Sequence, residues 1–362
     1  MMDDLPTPCI VIDAAVVARN LRRMATYAKS HGLAIRPHTK THKSTLLGRM
    51  QLEHGAIGLT VAKAGEAEVM ASITDDILMA YPAVDPPRCA RLAQLARSKT
   101  VRVGIDSTIA ADALASAART AGATIGILVD LDVGHHRTGV QSAAEALALA
   151  QHIDRCKGLR LDGVMFFPGH ITSPPASQAP ALAAVGAKLD EVLSLWRRGG
   201  LEARIVSGGS TPTAYQSHLV GHLTEIRPGT YVYNDMNSVR GQCATFEDCA
   251  ARILATVVST AVPGQVVLDA GSKTLTSDRC GPAPDSGHGY IVEYPNAKIT
   301  KLSEEHAQVD VTACDRLPKV GERVTVIPNH ICPCVNLQDQ VWWKEEGSPP
   351  RAITVEARGK VS

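Results

Sequence analysis

Two short runs carry residue types that could do chemistry. The first is Ala34-Ile35-Arg36-Pro37-His38-Thr39-Lys40-Thr41-His42-Lys43-Ser44. Apolar residues lead into it, so it reads as a strand that ends in a cluster of cations and imidazoles. A lysine at such a strand end can be held partly deprotonated by its positive neighbours and so become nucleophilic. A Schiff base to an aldehyde cofactor requires that property. The second run is His330-Ile331-Cys332. Read as extended chain, residues two apart point to the same face. An imidazole and a thiolate so placed are two ligands of a zinc-like site, with other positions open to water or substrate. The two runs together suggest an enzyme that uses an aldehyde and a metal.

The elements that must hold these residues follow from periodicity. Short apolar runs fall at 34–37, 56–61, 77–80, 100–104, 125–131, 161–166, 203–207 and 223–226, with helical patterns between them. In the first helix Asp13 serves as cap, and Val17, Leu21, Met24 and Ala28 share one face. Alanine-rich segments at 142–153 and 181–195 behave likewise. Eight strand–helix units predict an α/β chain, a (β/α)8 TIM-like barrel over 13–242. From about Cys243 strand-like runs dominate: 251–259, 265–269, 290–292, 308–311, 323–327 and 352–357. They predict a second, C-terminal β domain over 243–362, which residues 1–12 join through a strand at 9–12.

In a barrel of this kind chemistry sits at the carboxyl ends of the strands. Four polar clusters fall there. Lys40 follows the first strand, and Asp130-Leu131-Asp132-Val133-Gly134-His135-His136-Arg137 follows the fifth. Ser207-Gly208-Gly209-Ser210-Thr211 follows the seventh, and Arg227-Pro228-Gly229-Thr230 the eighth. The seventh loop suits a phosphate: its glycines let the backbone approach, amides point at the anion, and the hydroxyls of Ser210 and Thr211 donate.

Composition excludes several classes. The 362 residues are 45% apolar and 20% charged, with a formal net charge of +1. The chain has no basic excess for nucleic acid or a membrane surface. No apolar run reaches the length of a membrane span, and the acidic start Met1-Met2-Asp3-Asp4 is unlike a secretory leader. Nine scattered cysteines, an odd number, predict a cytoplasmic protein with mostly free thiols.

Four motifs occur in order: Arg36-Pro37-His38-Thr39-Lys40, Gly209-Ser210-Thr211-Pro212-Thr213, Arg227-Pro228-Gly229 and Pro328-Asn329-His330-Ile331-Cys332. The chain in this respect resembles the D-threonine aldolase and D-serine dehydratase family, which has the alanine racemase type of pyridoxal-phosphate fold. The resemblance makes Lys40 the Schiff-base lysine for pyridoxal 5'-phosphate. It makes Ser210, Thr211, Gly229 and Thr230 the phosphate cradle, and it sets Arg227 near the pyridine nitrogen and Arg137 near the lysine. Phe167 takes the position of a stacking ring; it can stack but cannot donate a hydrogen bond. His330 and Cys332 become ligands of a divalent metal, and His306 a candidate base. His-x-Cys tilts the choice toward zinc over manganese and toward dehydration of D-serine- or D-threonine-type substrates. Retro-aldol cleavage of the same D-amino acids to glycine and an aldehyde is the alternative, and an amino-acid racemase or a non-catalytic cofactor carrier are further readings. The resemblance also implies a homodimer.

Blander roles compete at single residues. Lys43, the rival nucleophile, reads as a solvated charge in the following helix. His38 and His42 either orient Lys40 or cap its loop. Arg137 could be a structural ion pair with Asp132.

Overall fold

The computed structural model of the protein describes residues 4–280 and 286–362. Residues 1–3 and 281–285, which the sequence assigns to the β domain, lie outside the described residues. The chain forms two compact units. A barrel unit comprises Arg23–Lys40, Ser44–Gly229 and Gly359–Ser362. A sheet unit comprises Met1–Arg22, Thr41–Lys43 and Thr230–Arg358.

The chain opens with β1 (Cys9–Asp13) and α1 (Ala14–Ser30). Asp13 caps the helix, its Oδ1 accepting from the amides of Ala15 and Val16. Val17, Leu21, Met24 and Ala28 are buried along one stripe, as the 3.6-residue period requires.

In the barrel unit eight strands run parallel: β2 (Ala34–Ile35), β3 (Leu59–Val61), β4 (Asp76–Met79), β5 (Thr100–Ile105), β6 (Ile125–Leu131), β7 (Leu159–Phe166), β8 (Ile205–Gly208) and β9 (Glu225–Ile226). Their order is β2-β9-β8-β7-β6-β5-β4-β3. The Ile57 amide donates to the Ile35 carbonyl and the Thr60 amide to the Pro37 carbonyl, each at 2.9 Å, and His38 bridges Thr60. These bonds join the two edges, so the sheet is a TIM-like barrel. Between the strands lie α2 (Thr45–Glu53), α3 (Ala64–Met70), α4 (Pro86–Leu95), α5 (Thr108–Ala121), α6 (Ala143–Arg155) and α7 (Ala179–Arg198). All seven residues of β6 are buried, which is why the strand reads as a continuous apolar run. α5 shows how a helix is delimited. Ser107 caps it by accepting from Ala110, and Gly122 ends it in the left-handed region at φ 65°.

In the sheet unit the chain continues through α8 (Met236–Arg240), β10 (Ala251–Ser259), β11 (Gln265–Leu268), α9 (Ser272–Leu275), β12 (Tyr290–Ile291), β13 (Lys298–Leu302), β14 (Ala307–Asp310), β15 (Arg323–Ile327), α10 (Ile331–Asn336), β16 (Gln340–Lys344) and β17 (Arg351–Thr354). Their path is β13-β14-β11-β10-β1-β16-β17, with β15 pairing β10 and β12. β1 does join this sheet, antiparallel to β10 and parallel to β16. The sequence reading misses β13 and β16. β13 is an edge strand with Lys298 and Lys301 exposed, which breaks the apolar alternation and also discourages stray pairing. Among the described residues no helix is long and apolar enough to cross a membrane.

Candidate functional site

In the barrel unit the predicted cofactor residues gather at the carboxyl ends of the strands. The His38 amide donates to the Pro228 carbonyl at 3.0 Å, so the turn bearing Lys40 lies beside the end of β9 and Gly229. Lys40 sits in a single helical turn with its side chain exposed. The Lys40 amide donates to His38 Nδ1 at 3.3 Å, which gives His38 the loop-capping role. His42 is buried.

After β8 the backbone passes close to its neighbours. A Cβ at Gly208 would run into the Phe166 ring, and Gly209 takes φ 84°. Ser210 is buried, and its amide donates to Thr213 Oγ1 at 3.2 Å; the two hydroxyls lie 3.0 Å apart. Thr211 next to it is half-buried. The result is a tight hydroxyl-lined turn whose glycines leave room for close approach.

Arg227 is buried. Its Nη1 donates to Ser207 Oγ at 2.6 Å and its Nη2 to the Phe166 carbonyl at 2.7 Å. Burial pushes this guanidinium down to about 10, against the pull of Glu225 and Asp130, so it stays charged at neutral pH. Asp130, at the end of β6, is raised by burial while Thr138 bonds its carboxyl. The Arg137 guanidinium lies 4.6 Å from the centre of the Phe167 ring, and His135 meets that ring edge-on at 5.1 Å. The expected Arg137–Asp132 pair is corrected here. Asp132 accepts instead from the amides of Gly134 and His136 and from His136 Nδ1 at 2.7 Å, because those groups belong to its own tight turn.

Within the sheet unit lies the metal-type pair. The extended-strand argument for it is corrected: β15 ends at Ile327 and Cys332 is the second residue of α10. Pro333, in the first turn, favours helix there because the proline lacks an amide that would need a partner. His330 keeps extended angles as the residue before the helix, φ −139° and ψ 108°. The two side chains still meet, the imidazole bonding the Cys332 sulfur. Asp278 Oδ2 lies 2.9 Å from His330 Nδ1, which leaves Nε2 as the nitrogen that could ligate a cation. Burial resists charging of His330, but Cys332, Asp235 and Asp278 outweigh it and lift the imidazole to about 9. Cys332 is buried and bonds Thr41 Oγ1 at 3.2 Å, and Thr230 Oγ1 lies 3.6 Å from its sulfur. Tyr233, fully buried, carries a hydroxyl with no partner among the described residues, and the Cys332 charge adds to the burial that raises it.

Lys43 is a second correction. It is buried rather than solvated, precedes α2 rather than lying in it, and has φ 49°. Its amine donates to Asn336 Oδ1 at 2.7 Å within the sheet unit. His306 is exposed in the turn between β14 and β13, where neighbouring Glu304 and Glu305 pair with Lys273. Sequence reasoning misses Asp278 and Glu225 entirely, and it places Ser207 in the phosphate loop without its bonds to Arg227 and Glu225.

Both donor sets fit the groups they would hold. A primary amine, a hydroxyl-lined turn with close backbone approach and a buried guanidinium suit an aromatic aldehyde phosphate. A histidine oriented by a carboxylate, together with a thiol, suits a borderline-soft divalent cation.

Comparison with known proteins identifies the family of both parts of the chain. Residues 12–237 match the family described as "Alanine racemase, N-terminal domain". Residues 250–343 match the family described as "Putative serine dehydratase domain". The chain is 32% identical to a D-threonine aldolase of Arthrobacter sp, over 98% of this chain and 93% of that one. It is 35% identical to a D-threo-3-hydroxyaspartate dehydratase of Delftia sp. (strain HT23), over 91% of each. The crystal structure of D-threonine aldolase from Filomicrobium marinum superposes with a TM-score of 0.90 at 29% identity, covering 100% of this chain and 98% of that one.

Proposed function

This chain belongs to the alanine racemase N-terminal-domain family, and from that premise we propose that it is a pyridoxal-phosphate- and divalent-metal-dependent lyase acting on D-β-hydroxy-α-amino acids. Its reaction in this reading is dehydration of a D-serine- or D-threonine-type substrate to a keto acid and ammonia. The carrying observation is the His330–Cys332 pair with Asp278 behind the imidazole, since a racemase has no use for a metal at the β-hydroxyl. The metal is read as zinc, because thiolate plus imidazole favours zinc over the harder manganese.

When bound, the cofactor supplies an electron sink at Cα and the metal supplies Lewis acidity at the β-oxygen. The protein's residues do the rest. Lys40 would hold the cofactor through its amine, and its Nζ would carry the Cα proton. Ser210, Thr211, Gly229 and Thr230 bind the phosphate. Arg227, which has N–H donors only, would lie near the pyridine nitrogen and would disfavour its protonation. Phe167 stacks, with Arg137 on its ring. His330 and Cys332 hold the metal, and Asp278 fixes the imidazole tautomer. The barrel over 13–242 carries the cofactor and the β domain, 1–12 plus 243–362, carries the metal in this division of labour.

Aldol cleavage is the second reading, favoured by the likeness to the Arthrobacter aldolase. There His306 is the candidate base for the hydroxyl proton. One D-threonine incubation separates the two: 2-oxobutanoate and ammonia support dehydration, glycine and acetaldehyde support cleavage. If protein loaded with both groups forms neither pair of products, the proposal is overturned. A cytoplasmic homodimer completes the reading. All nine cysteines are free, which supports a reducing compartment, and sedimentation of the loaded protein tests the assembly.

A further inference from the structure

A second group of metal-type donors lies on the outer helices of the barrel unit. Asp112 is on α5; His152 is in the last turn of α6, and Cys156 caps the end of that helix. His152 and Cys156 are four residues apart and so share one helix face. That face meets Asp112: His152 Nε2 lies 2.7 Å from Asp112 Oδ1, and Cys156 Sγ lies 3.9 Å from the same oxygen. The three donor atoms all fall within 4.8 Å of one another. We propose that Asp112, His152 and Cys156 bind a zinc-type divalent cation that clips α5 to α6.

Donor chemistry and geometry support this site independently of the lyase reading. Imidazole nitrogen, thiolate sulfur and carboxylate oxygen are the zinc donors, and three protein ligands leave a fourth position to water. Zinc bonds of about 2.0–2.3 Å in a tetrahedron set the donors roughly 3.3–3.8 Å apart. The observed spacings bracket that range, and Asp112 is exposed while His152 and Cys156 are half-buried, so the side chains are free to adjust. The last turn of α6 directs carbonyl groups toward this end, which favours a cation there. Two guanidiniums, Arg119 and Arg155, also act on Cys156, and Arg119 is turned to the Lys157 carbonyl at 3.3 Å. Burial and the Asp112 carboxylate raise the Cys156 thiol; a bound cation reverses that field, and its binding releases the thiol proton to solvent.

The test uses the full chain and zinc alone. Alkylation of Cys156 is followed by peptide mass spectrometry as free zinc is raised, and bound zinc per chain is counted after dialysis. At free zinc about ten times the dissociation constant, labelling of Cys156 slows about tenfold. In His152→Gln and Asp112→Asn the protection moves to zinc concentrations at least about tenfold higher, and His152→Gln holds one zinc fewer per chain than the wild type. His330→Ala also loses a zinc but keeps Cys156 protected, which separates this site from the other pair. Equal labelling with and without zinc, or equal zinc content in the wild type and His152→Gln, overturns the proposal and leaves an ordinary surface ion pair.

Discussion

The Arg227 guanidinium donates to the Ser207 hydroxyl at 2.6 Å, and that hydroxyl in turn donates to Glu225 at 2.6 Å. Glu225 also takes both bonds from Arg36 Nε, at 3.1 Å each. Arg36 reaches on to Asp76, Asp76 to Arg102, and Arg102 to Asp162. A charged chain, buried at Arg36 and Glu225 and partly exposed at Asp76 and Arg102, therefore runs through the barrel from the strand end that carries Arg227. Each member is satisfied by its neighbours, which is the condition for burying charge at all.

Ser207 is the weakest link to cut. Ser207→Ala removes an acceptor from Arg227 and a donor from Glu225 without adding volume. The expected loss is about 1–3 kcal/mol, measured as a lower urea midpoint at unchanged slope. Paired with Glu225→Gln, it is expected to be non-additive, because both act on one network. A midpoint equal to the wild type would show that the chain of bonds is ornamental.

Arg36 carries more. Its side chain is 2% exposed and pairs with Glu225, itself 3% exposed. Arg36→Met strands the Glu225 carboxylate inside the barrel. The expected cost is about 3–5 kcal/mol, because breaking one half of a buried pair leaves the other uncompensated. Arg36→Met together with Glu225→Leu is expected to recover much of it. Denaturant melts of the two variants decide the matter.

Lys40 and Lys43 separate function from stability. Lys40→Ala is expected to abolish the borohydride-fixed cofactor label and to lower turnover on the order of a thousandfold or more. Lys43→Ala is expected to keep the label but to lower the melting temperature, since its buried amine holds Asn336. Peptide mapping that finds the label on Lys43 would reverse the two roles.

How far the sequence alone reaches is visible at these residues. The strand preceding Lys40 and the turn at Ser210 follow from apolar period and glycine, which are local signals. β10 and β15 likewise appear at the residues their β-branched runs indicate. Lys43 does not follow, because its burial depends on Asn336, almost three hundred residues away along the chain. Asp278 is equally silent: nothing in Ser277-Asp278-Arg279 points to His330. Arg137 and Asp132 look like a pair in sequence, yet the tight turn gives Asp132 nearer donors. Only His330–Cys332 survives a wrong argument, since a helix start and a strand both bring the two side chains together.

Asp132 sets a pH dependence. Burial opposes its ionisation, but the amides of His136 and Gly134 and the His136 ring hold its carboxyl well below the usual range. A carboxyl depressed on folding adds stability that is present above about pH 4, the unfolded value, and is lost as pH falls further. Asp132→Asn is therefore expected to be less stable than the wild type at pH 6 and to lose less on acidification from pH 5 to pH 3. Urea midpoints across that range check it; parallel curves for the two proteins would remove Asp132 from the account.

The His330–Cys332 pair proposed to hold the metal gives the sharpest separation of ligand from support. Asp278 does not need to touch the metal to matter, because its bond to His330 Nδ1 fixes which nitrogen is free. Asp278→Asn is expected to weaken metal binding about 10–100-fold while leaving the cofactor label on Lys40 intact. Cys332→Asp replaces a soft donor with a hard one of similar reach. Its expected effect is a change of preference from zinc toward manganese, read as the ratio of the two metals retained after competitive dialysis. His330→Ala leaves only the thiol of the pair, and is expected to lose the metal and the turnover of D-threonine together. Chelator treatment of the wild type is expected to do the same reversibly, with activity restored by zinc. If full activity persists in chelator and in His330→Ala alike, the β-oxygen is handled without a metal, and the case for a lyase over a racemase falls with it.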